Sequence, residues 1–460
     1  MKAREANAIE DLIELLEARR LTHVKVAVTD IDGILRGKYL SKEKFISCLK
    51  GGLSMCNVVL GWDSQDQLYD NVQYTGWHSA YPDAQVRLLP HTCRDLPFEP
   101  TEGGDMLFVL GEFAGEAEAV CPRGLLRRVL ERAAGMGFDA FAALEYEFFM
   151  FRETPESVRA KGYRDLQTWT PGAFGYSVLR SSVHADFYRE LNELCEKMDM
   201  PIEGLHTETG PGVLEAALAV DEAGAMADKA ILFKTFVKVL AQKHGLMATF
   251  MAKWSHEYPG QSGHIHVSLR NRQDASSAFF DPSDRLGMSK TQRNFMAGVQ
   301  RLMPEFMALY AQTVNSYSRL VPGYWAPLDA TWGVENRTTA LRLIPGSAKS
   351  QRVEVRIGSA DANPYLALAG ALASGLEGIE QGWEPEPMVE GNAYAQQFPP
   401  KLALPNCLWD SAQRFKASAA ADKLFGAAFV QHYAATREWE ERQFRRHVTD
   451  WELARYFEII

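Results

Sequence analysis

Charged side chains alternate with apolar ones in three short runs of this sequence, and a β-strand repeats every two residues. Arg352, Glu354 and Arg356 share one strand face, while Val353 and Val355 take the other. Glu145 and Glu147 share a face next to Phe148 and Phe149, and His264 and His266 share another. Arg337 and Arg342 bracket Thr-Thr-Ala-Leu in a run that favours a strand. A solvated edge strand would account for any one of these. Together they describe a polar basin in an apolar region, where unpaired charge is costly to bury.

The candidate ligands are Glu145, Glu147, Glu208, Glu215, Glu354 and His264. Five carboxylates and one imidazole suit hard divalent ions such as Mg²⁺ or Mn²⁺. Zinc would more often bring Cys or several His. Arg337, Arg342, Arg352, Lys349 and His266 form a cationic set suited to phosphate groups. Carboxylate-bound metals facing arginines describe phosphoryl transfer. No Walker A motif and no GxGxxG run opens a helix, so the nucleotide site is expected to be of neither P-loop nor Rossmann kind.

The elements that must position these groups follow from periodicity. An amphipathic helix is predicted near residues 6–20, followed by a Val24–Val28 strand. A hairpin turn at Asp32-Gly33 leads to a return strand over 34–40. Asp105 to Leu110 reads as a strand, and residues 1–115 as a small α+β domain. The stretch from Gly61 through Tyr81-Pro-Asp reads as a long loop rich in aromatics and acids. Pro122 opens a helix. Strands are expected over 138–150 and from Ala248 to Trp254, and helices over 184–199, 222–243, 290–313, 364–381 and from 409 onward.

At 460 residues with a net charge of -10, the chain lacks the basic footprint of non-specific nucleic-acid binding. No apolar run suggests a membrane span or a signal core. Six cysteines without a CxxC pair read as free thiols in a reducing cytoplasm.

The chain resembles the glutamine synthetase superfamily over nearly its whole length. The match is carried by Asp-Gly-x-x-Arg-Gly-Lys at 32–38, Cys-Pro-Arg at 121–123, Glu145-Tyr-Glu147, His206-Thr-Glu208, Gly-Pro-Gly followed by Glu215, and Ser262-Gly-His264-Ile-His266-Val-Ser268. Asn315-Ser-Tyr-Ser-Arg319, Glu335-Asn-Arg337 and Lys349-Ser-Gln-Arg352-Val-Glu354-Val-Arg356 continue it. The resemblance implies an α+β architecture: a β-grasp domain over 1–115 and, over 116–460, a catalytic domain on an antiparallel half-barrel. It implies ATP and two to three Mg²⁺ or Mn²⁺ ions. Glu147, Glu208 and Glu215 would hold one ion, and Glu145, His264 and Glu354 another.

By the same resemblance, Arg319, Arg356 and the backbone at Gly263 would bind L-glutamate. Arg337, Arg342 and Glu335 would serve catalysis. His206, His266, Ser268, Arg342, Lys349 and Arg352 would hold ATP. Homo-oligomeric rings, dodecamers or related assemblies, are expected, with the Trp62–Asp66 loop closing a neighbour's site. One departure bears on the amine. The family's Gly-Tyr-Glu-Ala-Pro is here Gly323-Tyr324-Trp325-Ala326-Pro327, and Val213 replaces a usual Gln. The expectation is therefore a ligase joining glutamate to an organic amine, aromatic or hydrophobic before alkylamine or polyamine. Trp325, Tyr176, Asp63 and Asp66 would stand on the amine side. Plain glutamine synthetase is the rival reading.

Overall fold

A computed structural model describes all 460 residues. The first sheet holds β1 (His23–Thr29), β2 (Leu35–Ser41), β3 (Leu53–Cys56), β4 (Asp83–Leu88), β5 (Arg94–Thr101) and β6 (Gly104–Phe113) in the order β2-β1-β6-β4-β3, with β5 on β6. Its β1–β6 pair is parallel and its other pairs are antiparallel. Helices α1 (Ile9–Ala18) and α2 (Lys42–Gly51) accompany it. One apolar cluster, drawn only from residues between Ala3 and Cys121, gives this part its own core. The opposite face, including Ala27, Ile31, Leu96 and Phe108, joins the large core of the remaining chain.

The second sheet has nine strands: β7 (Phe138–Phe151), β8 (Ile202–Thr207), β9 (Val213–Leu218), β10 (Asp221–Glu222), β11 (Met247–Thr249), β12 (Gly263–Asn271), β13 (Trp332–Val334), β14 (Leu341–Ile344) and β15 (Arg352–Val355). Their path β13-β14-β15-β12-β7-β9-β8 curls into a half-barrel, antiparallel except for β13–β14. The helices are α3 (Pro122–Gly135), α4 (Pro155–Ala160), α5 (Val178–Val183), α6 (Ala185–Lys197), α7 (Ala223–Lys243), α8 (Lys290–Tyr310), α9 (Val314–Ser318), α10 (Pro364–Gln381), α11 (Leu408–Lys416), α12 (Ala419–Phe425), α13 (Ala427–Phe444) and α14 (Asp450–Tyr456). None is long and apolar enough to cross a membrane.

Strand β7 shows why the sheet has two unlike faces. Leu144, Tyr146 and Phe148 point into the core, where Tyr146 stacks on Phe233 of α7 at 6.3 Å and Phe148 on Phe250 at 5.1 Å. Alternation then forces Glu145 and Glu147 onto the concave face.

Three expectations are corrected. Of the predicted Ala248–Trp254 strand only Ala248 and Thr249 pair with β7, because the chain leaves the sheet towards Lys253. The Arg337–Arg342 run is not a continuous strand. Asn336 turns it by accepting from Thr338 N at 2.9 Å, and β14 starts at Leu341. The predicted 61–83 loop ends in β4, and β3 and β5 were not anticipated.

Candidate active site

The strand register brings the charged residues together. His264 lies opposite Glu145 across β12–β7, and Glu147 opposite Glu215 across β7–β9. Glu215 lies opposite His206 across β9–β8. On the other side, Glu354 of β15 is flanked by His266 of β12 and Arg342 of β14. Facing pairs in an antiparallel sheet stand about 5 Å apart at Cβ, so each row is a set of touching side chains. They line a cavity of about 550 Å³ that takes in all six predicted ligands, with His206, Arg319, Arg337, Arg342 and Arg356.

Two donor clusters form within it. Glu145, His266 and Glu354 make one, and His206, Glu208 and Glu215 the other, with the ligand atoms of each inside 4.8 Å of one another. His264 Nδ1 stands 3.4 Å from both Glu145 and Glu354. Glu147 accepts from Ser262 N at 2.7 Å.

The electrostatics differ between the clusters. Burial pushes Glu215 up to about 9, helped by the charges of Glu147, Glu145 and Glu208. Burial also acts on Glu354, but His264, Arg356 and His266 outweigh it and pull the carboxyl down to about 2. Burial on Glu145 is likewise overcome, by hydrogen bonding to His264 and His266, and its carboxyl falls far below the ordinary range. Arg356 reaches Glu354 at 2.5 Å and Arg342 reaches it at 2.9 Å. Arg319 is buried, which lowers it to about 10, and it donates to the carbonyls of Ile357 and Arg356 at 3.1 Å. Arg337 is exposed and has no ion pair.

Mutually repelling acids around a raised Glu215 are the donor set a hard divalent cation completes, and the residues fit one. Glu208, Glu215 and His206, with Glu147 beside them, would hold one ion. Glu145, Glu354 and the imidazoles of His264 and His266 would hold another.

Residues 119–456 match the family of the glutamine synthetase catalytic domain. The chain belongs to that family. It is 42% identical over 99% of its length to type-1 glutamine synthetase 2 of Dictyostelium discoideum, 87% of which is covered. It is 36% identical to a glutamate–isopropylamine ligase of a Pseudomonas species, over 97% of each chain. It is 37% identical to a gamma-glutamylethanolamide synthetase of Streptomyces coelicolor, over 98% of this chain and 96% of that one. A solved GmaS/ADP complex shares the fold, with a TM-score of 0.84 at 25% identity over 97% of this chain and 99% of that one. This glutamine synthetase family member is a C–N bond-forming ligase.

The remaining expected residues scatter more. Tyr176 and Trp325 line the cavity, and Tyr176 stacks on His206 at 4.3 Å. Both hold left-handed backbones, at φ 55 and 61, as does Glu335 at φ 50. That conformation is costly for bulky residues and clusters at functional sites. Glu335 stands outside the cavity wall and pairs with Arg342. His266 contacts Glu145 at 3.0 Å, and Arg352 donates to His266 at 3.2 Å. Ser268, Lys349 and Arg352 lie outside the wall.

Gly263 does not offer a free amide, because its N–H donates to Gly358 O at 2.9 Å. Asp63 and Asp66 do not line the cavity of their own chain. Asp63 accepts from Gln65 N, Gln67 N and Trp439 Nε1, and Asp66 pairs with Arg36.

His206, expected on the ATP side, stands instead in the second donor cluster with Glu208 and Glu215. The His-x-Glu spacing of 206 and 208 was the available signal. Ser262, Pro259 and Tyr324, uncharged and without an expected site role, also line the cavity.

Proposed function

We propose that this ligase joins the γ-carboxylate of L-glutamate to an organic amine at the expense of ATP. The observation that carries the amine reading is Trp325. Its side chain is 55% exposed and lines the cavity together with Tyr324 and Pro259, instead of packing into the core. All five carboxylates of the cavity wall belong to the two donor clusters or, as Glu147, stand beside them. Within this chain's own cavity wall none remains on the Trp325 side to attract and deprotonate an ammonium ion. An arylamine, already neutral at pH 7, needs no such carboxylate and gains from the indole face. Aromatic and hydrophobic amines fit best. Isopropylamine, named for the Pseudomonas relative, is a small alkylamine, which ranks second because it arrives protonated.

In the reaction, a γ-carboxylate oxygen of glutamate attacks the γ-phosphorus of ATP. The bond to the ADP oxygen breaks, leaving γ-glutamyl phosphate and ADP. The amine nitrogen then attacks the acyl carbon and loses a proton, and phosphate leaves with the carboxylate oxygen. Divalent cations, when bound, neutralise the phosphate charge. Arg319 and Arg356 hold the glutamate carboxylate. Arg337, free of internal partners, meets the charge that develops on the transferred phosphoryl group, with Arg342 beside it. Lys349, Arg352 and Ser268, beyond the cavity wall, hold the nucleotide.

The name of the Dictyostelium relative favours ammonia as a second reading. Phosphate release with glutamate, ATP and a panel of isopropylamine, aniline, ethanolamine, putrescine and ammonium separates the two. The proposal expects kcat/KM to be highest for a hydrophobic amine. Ammonium outperforming every organic amine contradicts it. We also propose a ring-shaped homo-oligomer in which loop 62–66 reaches a neighbour's site, and a fully active monomer in light scattering contradicts that.

A further inference from the structure

Apolar contacts join the first part of the chain to the catalytic part, such as Tyr69 edge-on to Trp439 at 5.9 Å. Apolar contact is non-directional and sets position loosely. Polar links cross the same boundary too, such as Arg123 to Glu112 at 2.7 Å and Arg94 to Asp199 at 3.0 Å, and one relay leads to the active site. Arg437 of α13 is 2% exposed. It donates to Asp32 Oδ1, on the β1–β2 hairpin, at 2.5 Å and to Gln312 O at 2.6 Å. Gln312 Nε2 donates to Asp32 O at 3.0 Å and to Asp361 O at 3.1 Å, while its Oε1 accepts from Asn363 N at 2.9 Å. Asn363 returns a bond to Ile31 O at 3.1 Å. The hairpin sits so close that a Cβ on Gly33, at φ +80, would lie 3.1 Å from Asn363 Cα.

From Asp361 the relay runs into the site. Its carboxylate accepts from the hydroxyls of Thr313 at 2.8 Å, Ser316 at 2.9 Å and Ser359. Ser316 O accepts from Arg319 N at 3.3 Å, and the Arg319 guanidinium bonds the carbonyl of Arg356. Ala360 N donates to Gln261 O at 3.1 Å, beside the Ser262 amide that binds Glu147. At the other end, Trp439 of α13 donates to Asp63 at 3.1 Å, and Arg36 of the hairpin holds Asp66 at 2.6 Å.

We propose that Asp32 and Arg437 are positioning residues for the glutamate end of the active site. A buried ion pair adds little net stability but tolerates little displacement. This one fixes the register of the first sheet against the wall that carries Arg319 and Arg356, and fixes loop 62–66 to the same helix. The inference rests on the glutamate role proposed for those two arginines.

The test is steady-state kinetics on the full-length protein with Asp32→Asn, Arg437→Lys and Ser316→Ala, alongside melting temperatures. The first two are expected to raise the KM for glutamate about tenfold, since small misplacements of binding groups are amplified, and to leave the KM for ATP within about twofold. Ser316→Ala is expected to raise the glutamate KM about threefold by the same route. Lower melting temperatures with an unchanged glutamate KM overturn the proposal, as do glutamate and ATP constants that rise together. If Asp32→Asn and Arg437→Lys fail to fold, Ser316→Ala decides, and an unchanged glutamate KM in that variant overturns it. A wild type without glutamate-dependent ATP turnover overturns the proposed function and the relay together. Wild-type turnover with unaltered variants overturns the relay alone.

Discussion

Glu215 on β9 and Glu354 on β15 are carboxylates on the same sheet, both largely withdrawn from solvent, and they are shifted in opposite directions. Burial and four neighbouring acids, Glu354 among them, push Glu215 up to about 9. Burial acts on Glu354 too, yet His264, Arg356 and His266 bring it down to about 2. Burial is common to both, so the partners decide the sign. The β7–β9 end is electrostatically incomplete and calls for cations. The β14–β15 end already has cationic partners within the chain beside its own ion position, and Arg337 is the one cavity guanidinium without an ion pair of its own or a backbone bond.

The comparison breaks most visibly when cations are withheld. Chelation is expected to lower ligase activity by at least about a thousandfold, with recovery on adding Mg²⁺ or Mn²⁺. Activity that survives exhaustive chelation would show the β7–β9 end complete by itself. Arg337→Ala probes the other end. It should lower kcat by about a hundredfold to a thousandfold and change the glutamate KM less than about threefold. Normal turnover with a raised glutamate KM would make Arg337 a binding residue only.

Stability against pH sharpens the contrast. Glu215 is raised above its ordinary 4.5, so its contribution is present below that value and is lost as pH rises towards about 9. Glu354 is lowered, so its contribution is present above 4.5 and is lost as pH falls towards about 2. Metal-free protein should therefore lose melting temperature on both sides. Added Mg²⁺ or Mn²⁺ should restore the alkaline side and leave the acid side, below about pH 4.5, largely unrestored, as the ligands there take up protons. Equal recovery on both sides contradicts the assignment.

The smallest effect is expected from Trp325→Glu. A new carboxylate should shift kcat/KM from hydrophobic amines towards ammonium by about tenfold, the worth of roughly 1.4 kcal/mol. An unchanged ratio means that position 325 does not select the amine.

The charged strands were legible in the sequence because alternation is local: Glu145-Tyr-Glu147, His264-Ile-His266 and Arg352 to Arg356 needed nothing beyond themselves. Their order across the sheet was not, since β15 lies beside β12, far away in sequence. The short strand β3 pairs with β4, and β4 with β6, across a long interval that reads as loop. Arg337 and Arg342 looked like one strand because Thr-Thr-Ala-Leu favours strand, but Asn336 is tied to Gly391 O at 2.8 Å and turns the chain. Asp63 looked like a free acid and is instead consumed by Trp439, a partner 376 residues away.

The central claim is that glutamate is activated as an acyl phosphate before the amine arrives. Glutamate carrying heavy oxygen in its γ-carboxylate, turned over with ATP and isopropylamine, tests it most directly. The account predicts that one heavy oxygen from each glutamate consumed appears in the released phosphate. Phosphate free of the label, with amide product still formed, would contradict it.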